Sequence, residues 1–258
     1  MRIVVKVGTS TLAHHTGLLH IRRVESLCRV LSDLKNAGHE IILVSSGAIG
    51  MGVGKLSLKE RPADVPTKQA AAAVGQCELM YTYDKLFSEY RHNVAQILLT
   101  ASDVEQPGRR ENFHNTLTRL LELNALPIIN ENDTVAIDEI YGNNIGDNDM
   151  LSAIVARIVE ADRLVILTDI DGLYSSNPRT NPDAKKLDVV KKIDSEILEM
   201  AAGSGSNRGT GGMITKLQAA NYATKCGTEV HVVNGSDPAI LYRVFDGDCP
   251  GTKFLAIK

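Results

Sequence analysis

The chain has 258 residues, a formal charge of −3, 43% hydrophobic and 4% aromatic residues, and no tryptophan. That length suits one large α/β domain that buries most of its apolar surface without staples. The near-neutral charge leaves no basic footprint for nucleic acid, few aromatics argue against a platform for stacked single strands, and no stretch approaches the run of about 18 apolar residues that reads as a membrane span.

Strand and helix patterns alternate from end to end. Residues 3–7 are an apolar run closed by Gly8, which suits a buried parallel strand. Helical periodicity (Ile21, Val24, Leu27, Cys28, Leu31, Leu34) runs from about 21 to 37 and stops at Gly38. A strand at 40–44, an alanine-rich helix at 67–90, a strand at 94–99, a helix at 111–124 and a strand at 126–129 follow. Residues 132–147 break the rhythm and read as a β-hairpin or lid. A helix at 148–160, a strand at 164–167, helices at 194–202 and 212–226, a strand at 230–233, a short helix near 237–244 and a last strand near 254–257 complete the chain. The alternation predicts a three-layer αβα sandwich around one mostly parallel sheet. The break near residue 160 divides one domain, 1–258, into two lobes, 1–160 and 161–258, rather than two independent domains.

Cys28, Cys77, Cys226 and Cys249 have no metal or redox spacing. All but Cys249 fall in helical or apolar patterns, so reduced, mostly buried thiols in a cytosol are expected. His14-His15 reads as a solvated loop, because adjacent residues rarely ligate one metal. The chain begins directly with a strand pattern and no secretion signal, so a cytoplasmic location is expected, with no membrane or nucleic-acid partner.

In a parallel sheet ligands bind at the carboxyl ends of the strands, and the polar clusters of this chain fall there in succession. Lys6-Val7-Gly8-Thr9-Ser10 places a lysine at the end of an apolar strand; buried, it needs an anionic partner, although alone it fits a lysine snorkelling to the surface equally well. Ser45-Ser46-Gly47-Ala48-Ile49-Gly50 is a glycine-rich strand-to-helix turn suited to an anion, but it has neither the dinucleotide fingerprint nor a Walker A loop. Asn130-Glu131-Asn132-Asp133 follows the strand at 126–129, and Gly146-Asp147-Asn148-Asp149 opens a helix; singly these are turn formers and caps, but together they supply donors and acceptors for a ligand with both an ammonium and a carboxylate. Thr168-Asp169-Ile170-Asp171-Gly172 fails as an EF-hand loop and reads better as a loop edging a nucleotide. Last, Ser206-Asn207-Arg208-Gly209-Thr210-Gly211-Gly212 runs straight into a helix bearing Lys216. Exposed backbone N–H groups, a helix start and a full positive charge together make a phosphate site. A flexible linker would suit the glycines but would not explain the lysine.

With these clusters in order, from Lys6 to about Gly227, the chain resembles the amino acid kinase family, and within it the branch that phosphorylates glutamate. The most specific element is Gly209-Thr210-Gly211-Gly212-Met213-x-Thr215-Lys216. The resemblance implies an ATP-dependent phosphotransferase of the amino acid kinase fold. It would form L-glutamyl 5-phosphate as the first step of proline biosynthesis, with Mg²⁺ entering on ATP and no protein metal cage. Lys6 and Lys216 would flank the transferring phosphoryl, with Asp149 orienting both. Ser46, Gly47, Asn130, Asp133 and Asn148 would hold glutamate. Lys6, Gly8, Thr168, Asp169 and the run Thr210, Gly211, Gly212, Met213, Ile214, Thr215, Lys216 would hold ATP. It further implies a homo-oligomer, feedback inhibition by proline, a glutamyl-phosphate reductase as partner for a labile product, and a short form without the C-terminal PUA domain of many members. The segment 140–145 is a few residues longer than usual beside the substrate. The competing readings are a non-catalytic amino acid sensor of the same fold and a related kinase with another acid as acceptor. Keeping both lysines argues against the sensor.

Overall fold

A computed structural model describes residues 1–14, 16–136, 148–178, 180–202 and 212–257. The glycine-rich stretch up to Gly211 and most of the expected hairpin or lid, 137–147, lie outside the described residues. The first half of the chain lays down β1 (Arg2–Val7), α1 (Thr9–Leu12), α2 (Ile21–Asn36), β2 (Glu40–Ser45), α3 (Ala48–Lys55), α4 (Val65–Ser88), β3 (Val94–Leu99), α5 (Ala101–Glu105), α6 (Pro107–Glu122) and β4 (Leu126–Glu131). The second half adds α7 (Asn148–Ile158), β5 (Arg163–Thr168), β6 (Val189–Val190), α8 (Ser195–Ala202), α9 (Met213–Lys225), β7 (Glu229–Asn234), α10 (Ile240–Phe245) and β8 (Thr252–Phe254).

One eight-stranded sheet runs in the order β3-β4-β2-β1-β5-β7-β8-β6, and every neighbouring pair is parallel except β7 and β8. The chain builds outward from β1 through β2 on one side and returns to place β5 on the other, so β1 sits at the topological switch point. Because side chains alternate across a strand, β1 sends Val4 to one core and Ile3, Val5 and Val7 to the other. The Val4 core is completed by α6, α7 and α9, and the opposite core by α2, α4 and α10. That is the three-layer sandwich expected from the alternation. Each fully buried Val, Leu or Ile in these cores contributes roughly 1.5–3 kcal/mol.

Element boundaries shift where local chemistry takes over. α4 begins at Val65, because the Asp64 side chain accepts a hydrogen bond from the Thr67 N–H at 2.9 Å and Pro66 suits the first turn. α6 begins at Pro107 rather than 111, and Thr100 and Asp103 form a capping box that starts α5. β4 continues through Asn130 and Glu131, which pair with Leu98 and Leu99 of β3, so Asn130 lies in the strand and not after it. The last strand ends at Phe254 instead of starting there, and the two-residue β6 beside it was not expected. The thiols also depart from expectation. Cys28 is buried, but Cys77 and Cys226 are exposed and Cys249 is intermediate. Cys77 falls on the outer face of α4, and Cys226 on the cap that ends α9. His14, in contrast, is exposed as expected, stacked on His20 with ring centroids 4.1 Å apart.

α3 and α4 cross with backbone in contact. A methyl on Gly75 would stand 1.8 Å from the Ala48 carbonyl oxygen, and one on Gly52 would stand 1.8 Å from that of Ala71. Gly75→Ala should therefore lower the free energy of unfolding by at least about 1–3 kcal/mol, the range for overpacking. Urea denaturation checks this, and a change below about 0.5 kcal/mol would mean that the helices separate without cost.

Candidate active site

Lys6 lies two residues beyond Val4 on β1, so it shares the face occupied by α7 and α9. Asp149 stands in the first turn of α7, and Lys216 in the first turn of α9, just after Gly212 caps that helix. These placements bring three charges together. Lys6 Nζ meets Asp149 Oδ1 at 2.6 Å, and Lys216 Nζ donates to Asp149 Oδ2 at 3.0 Å. The Thr215 hydroxyl has one proton to share between the same Oδ2, at 3.2 Å, and the Gly212 carbonyl, at 2.9 Å. Lys6 is 6% exposed, Lys216 5% and Asp149 0%. Burial works hardest on Asp149 and opposes its charge, but the two ammonium groups outweigh it and hold the carboxyl below the usual carboxylate range. Asp149 is thus a shared counter-ion and not only a helix cap.

Beside this cluster, Gly8 ends β1 so close to Lys6 that a β-carbon there would lie 3.6 Å from Nζ. Thr168 is buried at the end of β5; its hydroxyl donates to Asp169 at 3.3 Å, and its carbonyl accepts from Gly235 N–H at 2.7 Å. Asn234 at the end of β7 donates to Asp171 at 2.7 Å. The loops after β5 and β7 are therefore tied to each other at the same edge, and Asn234 and Gly235 went unnoticed in the sequence. Of the glycine-rich run, Thr210 and Gly211 lie outside the described residues. Gly212 caps α9, Met213 packs against the core, and Ile214 is exposed.

A second cluster, built mainly of neutral amides and hydroxyls, sits at the ends of β2 and β4. Ser46 is buried, and Gly47 takes a left-handed conformation (φ 99°) that turns the chain into α3. The Asn130 amide donates to Gln76 Oε1 at 2.9 Å and accepts from Glu131 N–H at 2.9 Å and from Asn148 Nδ2 at 3.2 Å. Asn130 and Asn148 are thus joined, and Asn148 Oδ1 remains a buried acceptor with no hydrogen-bond partner. Asp133 is half-buried in the turn that follows β4. Gln76, one of many small or polar residues on α4, carried no signal in the sequence.

Among the described residues, a further cluster gathers Arg163, His231 and Lys253 around Glu229. Arg163 and Glu229 open β5 and β7, at the edge opposite the site, which marks the group as structural. Among the described residues no group of three or more His, Cys, Asp or Glu could hold a metal ion, and no helix is long and apolar enough to cross a membrane.

Residues 1–234 match the family model for the amino acid kinase family. The chain is 55% identical over 258 residues to glutamate 5-kinase of Clostridium perfringens (strain 13 / Type A), covering 100% of this chain and 96% of that protein. It is 50% identical over 258 residues to glutamate 5-kinase of Listeria innocua serovar 6a, covering 100% and 94%. Among solved structures, carbamate kinase from Giardia lamblia bound to AMP-PNP matches with a TM-score of 0.68 at 16% identity, covering 98% of each chain. Isopentenyl phosphate kinase matches with a TM-score of 0.65 at 16% identity, covering 98% of this chain and 100% of the other. At such identities these two structures speak for the fold alone.

Replacing Asp149 by Asn would leave two buried ammonium groups on a neutral amide. The expected cost is roughly 3–5 kcal/mol at neutral pH. The sign of the pH dependence follows from the lowered carboxyl. Its contribution is fully present above the ordinary value of 3.8 and is lost as pH falls through the lower folded-state value. Urea midpoints of wild type and Asp149→Asn should therefore stay well apart from pH 7 down to about 4 and converge only in stronger acid. A gap that closed near pH 6 would contradict the assignment.

Proposed function

The chain belongs to the amino acid kinase family, and on that premise we propose that it transfers the γ-phosphoryl group of ATP to the side-chain carboxylate of L-glutamate, the first step of proline biosynthesis. The observation that carries the acceptor is identity of 50–55% to glutamate 5-kinases over the whole chain. The gathering of Lys6, Lys216 and Asp149 at the switch point supports the chemistry.

The nucleophile needs no general base, because a glutamate side chain with a pKa of about 4.3 is already ionised at neutral pH. The remaining task is to bring two anions into line and to neutralise the charge that develops between them. Lys6 and Lys216 reach one carboxylate from opposite elements, a strand and a helix, so Asp149 fixes both ammonium groups relative to each other before substrate arrives. Preorganised cations of this kind act most strongly in a site that excludes water. Backbone N–H groups at Gly8, Gly47 and Gly212, with the run from Thr210 to Lys216, would supply further donors to the phosphates. Thr168 and Asp169 would contact the nucleotide from the lobe 161–258.

Glutamate would lie in the lobe 1–160. Ser46 would hold it, the buried Asn148 Oδ1 would accept from its ammonium, and Asp133 would supply the balancing charge. Asn130 holds Asn148 in place. Mg²⁺ fits this donor set as an ion brought by ATP. Its ligands would be phosphate oxygens and water, since Asp149 is committed to the two lysines, and it would neutralise phosphate charge. The product is a mixed anhydride that water destroys, so a reductase that consumes it promptly is the expected partner. Feedback inhibition by proline and homo-oligomeric assembly complete the proposal.

The test is ADP release from MgATP with L-glutamate, N-acetyl-L-glutamate, L-aspartate and UMP in parallel, with hydroxylamine present to trap acyl phosphate. Turnover and hydroxamate with glutamate alone are expected; turnover with another acceptor instead would overturn the substrate. Lys216→Ala should lower kcat by at least about 10²-fold, as expected for losing a transition-state cation, with little change in glutamate binding. A kcat near wild type would remove Lys216 from the chemistry. Asp133→Ala should raise the KM for glutamate, and an unchanged KM would remove Asp133 from the substrate site.

A further inference from the structure

Among the residues that neither motif nor charge singled out, Gln76 stands apart. α4 buries a stripe through Ala72, Gln76, Leu79, Tyr83 and Phe87, spaced by three or four residues. All but Gln76 and Tyr83 are apolar, and each of these two reaches the end of a strand. Tyr83 Oη meets Ser45 Oγ of β2 at 2.9 Å, and Gln76 Oε1 accepts from Asn130 of β4 at 2.9 Å. Gln76 is 8% exposed and Asn130 1%, so neither amide has water as an easy substitute.

We propose that Gln76 is a positioning residue for the acceptor substrate, acting through Asn130 on Asn148; this rests on the reading of Asn148 as a glutamate ligand. The chain of contacts runs one way. The backbone N–H of Glu131 can only donate, so it holds the Asn130 oxygen on its own side and turns the Asn130 nitrogen to α4, where Gln76 Oε1 accepts. The Asn130 oxygen then faces the Glu131 N–H and Asn148 Nδ2. With its nitrogen held, Asn148 turns its own oxygen away from Asn130, and that oxygen is the buried acceptor without a partner. Reversing Gln76 or Asn130 would set donor against donor, and reversing Asn148 would set acceptor against acceptor. The position of Gln76 is itself fixed by the preceding residue, because Gly75 packs against the carbonyl of Ala48, one residue after Gly47. The backbone crossing of α3 and α4 thus ties the turn at Ser46 and Gly47 to the amide series, and both sides of the amino acid pocket hang on one helix. Neutral amides suit this end of the site, where they would orient a ligand with charges of both signs while Asp133 supplies the balancing charge.

The experiment is a double-mutant cycle of Gln76→Met and Asn130→Ala, read as separate KM values for L-glutamate and ATP and as kcat. Gln76→Ser runs beside Gln76→Met in case the longer apolar side chain does not fold, with the thermal midpoint of each variant recorded. The expected result is a KM for glutamate raised roughly ten-fold by either Gln76 variant, the size of one net hydrogen bond, with the KM for ATP and kcat within about two-fold of wild type. The double variant should match Asn130→Ala alone, because Gln76 acts only through Asn130. Effects that multiply, or a KM for ATP and a kcat that move together with the glutamate KM, would overturn the proposal. If wild type turned over another acid and not glutamate, the substrate reading would fall, and the same cycle run on that acid would decide the role of Gln76.

Discussion

The site depends on one carboxylate shared by two ammonium groups. Asp149 has no exposed surface, and a carboxylate in that position is tolerable only because Lys6 and Lys216 each contact one of its oxygens. The dependence is mutual, since each buried lysine needs an anion nearby. Three groups that are costly to bury singly therefore hold one another at the strand ends. The arrangement draws on a strand, on the start of α7 and on the start of α9, so it forms only when the sheet and the helices over its Val4 face are assembled. Stability and function meet at this point: the contacts that make the charges tolerable also fix where an incoming phosphoryl group would find them.

The rest of the fold sets two chemistries side by side. At the switch point between β1 and β5 the groups are charged, as suits phosphoryl transfer, where charge must be neutralised as it develops. At the ends of β2 and β4 they are mainly neutral amides and hydroxyls, with Asp133 in the turn beyond, as suits the orientation of a zwitterion. The sheet separates the supports of the two. Lys6 projects to the face that carries α7 and α9, whereas Asn130 follows Leu126 and Ile128 onto the α4 face. Asn148 and Asp149, adjacent at the head of α7, join them, one residue serving each cluster.

The sequence made the layers and the charged cluster legible because both rest on periodic or composition-driven signals. The largely apolar runs at 3–7 and 40–44 suited strands of a parallel sheet, and lysines placed at a strand end and after a glycine-rich run pointed to an anion. The details of pairing were not legible. Asn130 and Glu131 are poor strand formers, and only the neighbouring β3 draws them into the sheet. β6 has two residues and no pattern of its own. Cys77 looked buried because its helix is rich in alanine, yet α4 turns that face outward. Gln76 was invisible for a related reason: one glutamine on a long helix gains meaning only from the strand end it reaches, a contact across 54 positions of sequence.

The central claim is that Lys6 and Lys216, set by Asp149, embrace the transferring group. It is tested most directly by a crystal structure of the protein with MgADP, aluminium fluoride and L-glutamate. The account predicts both ammonium groups within about 3 Å of the fluoride group, on opposite sides of it, with Asp149 still contacting both lysines. Either lysine turned away from that group, or Asp149 released from both, would contradict it.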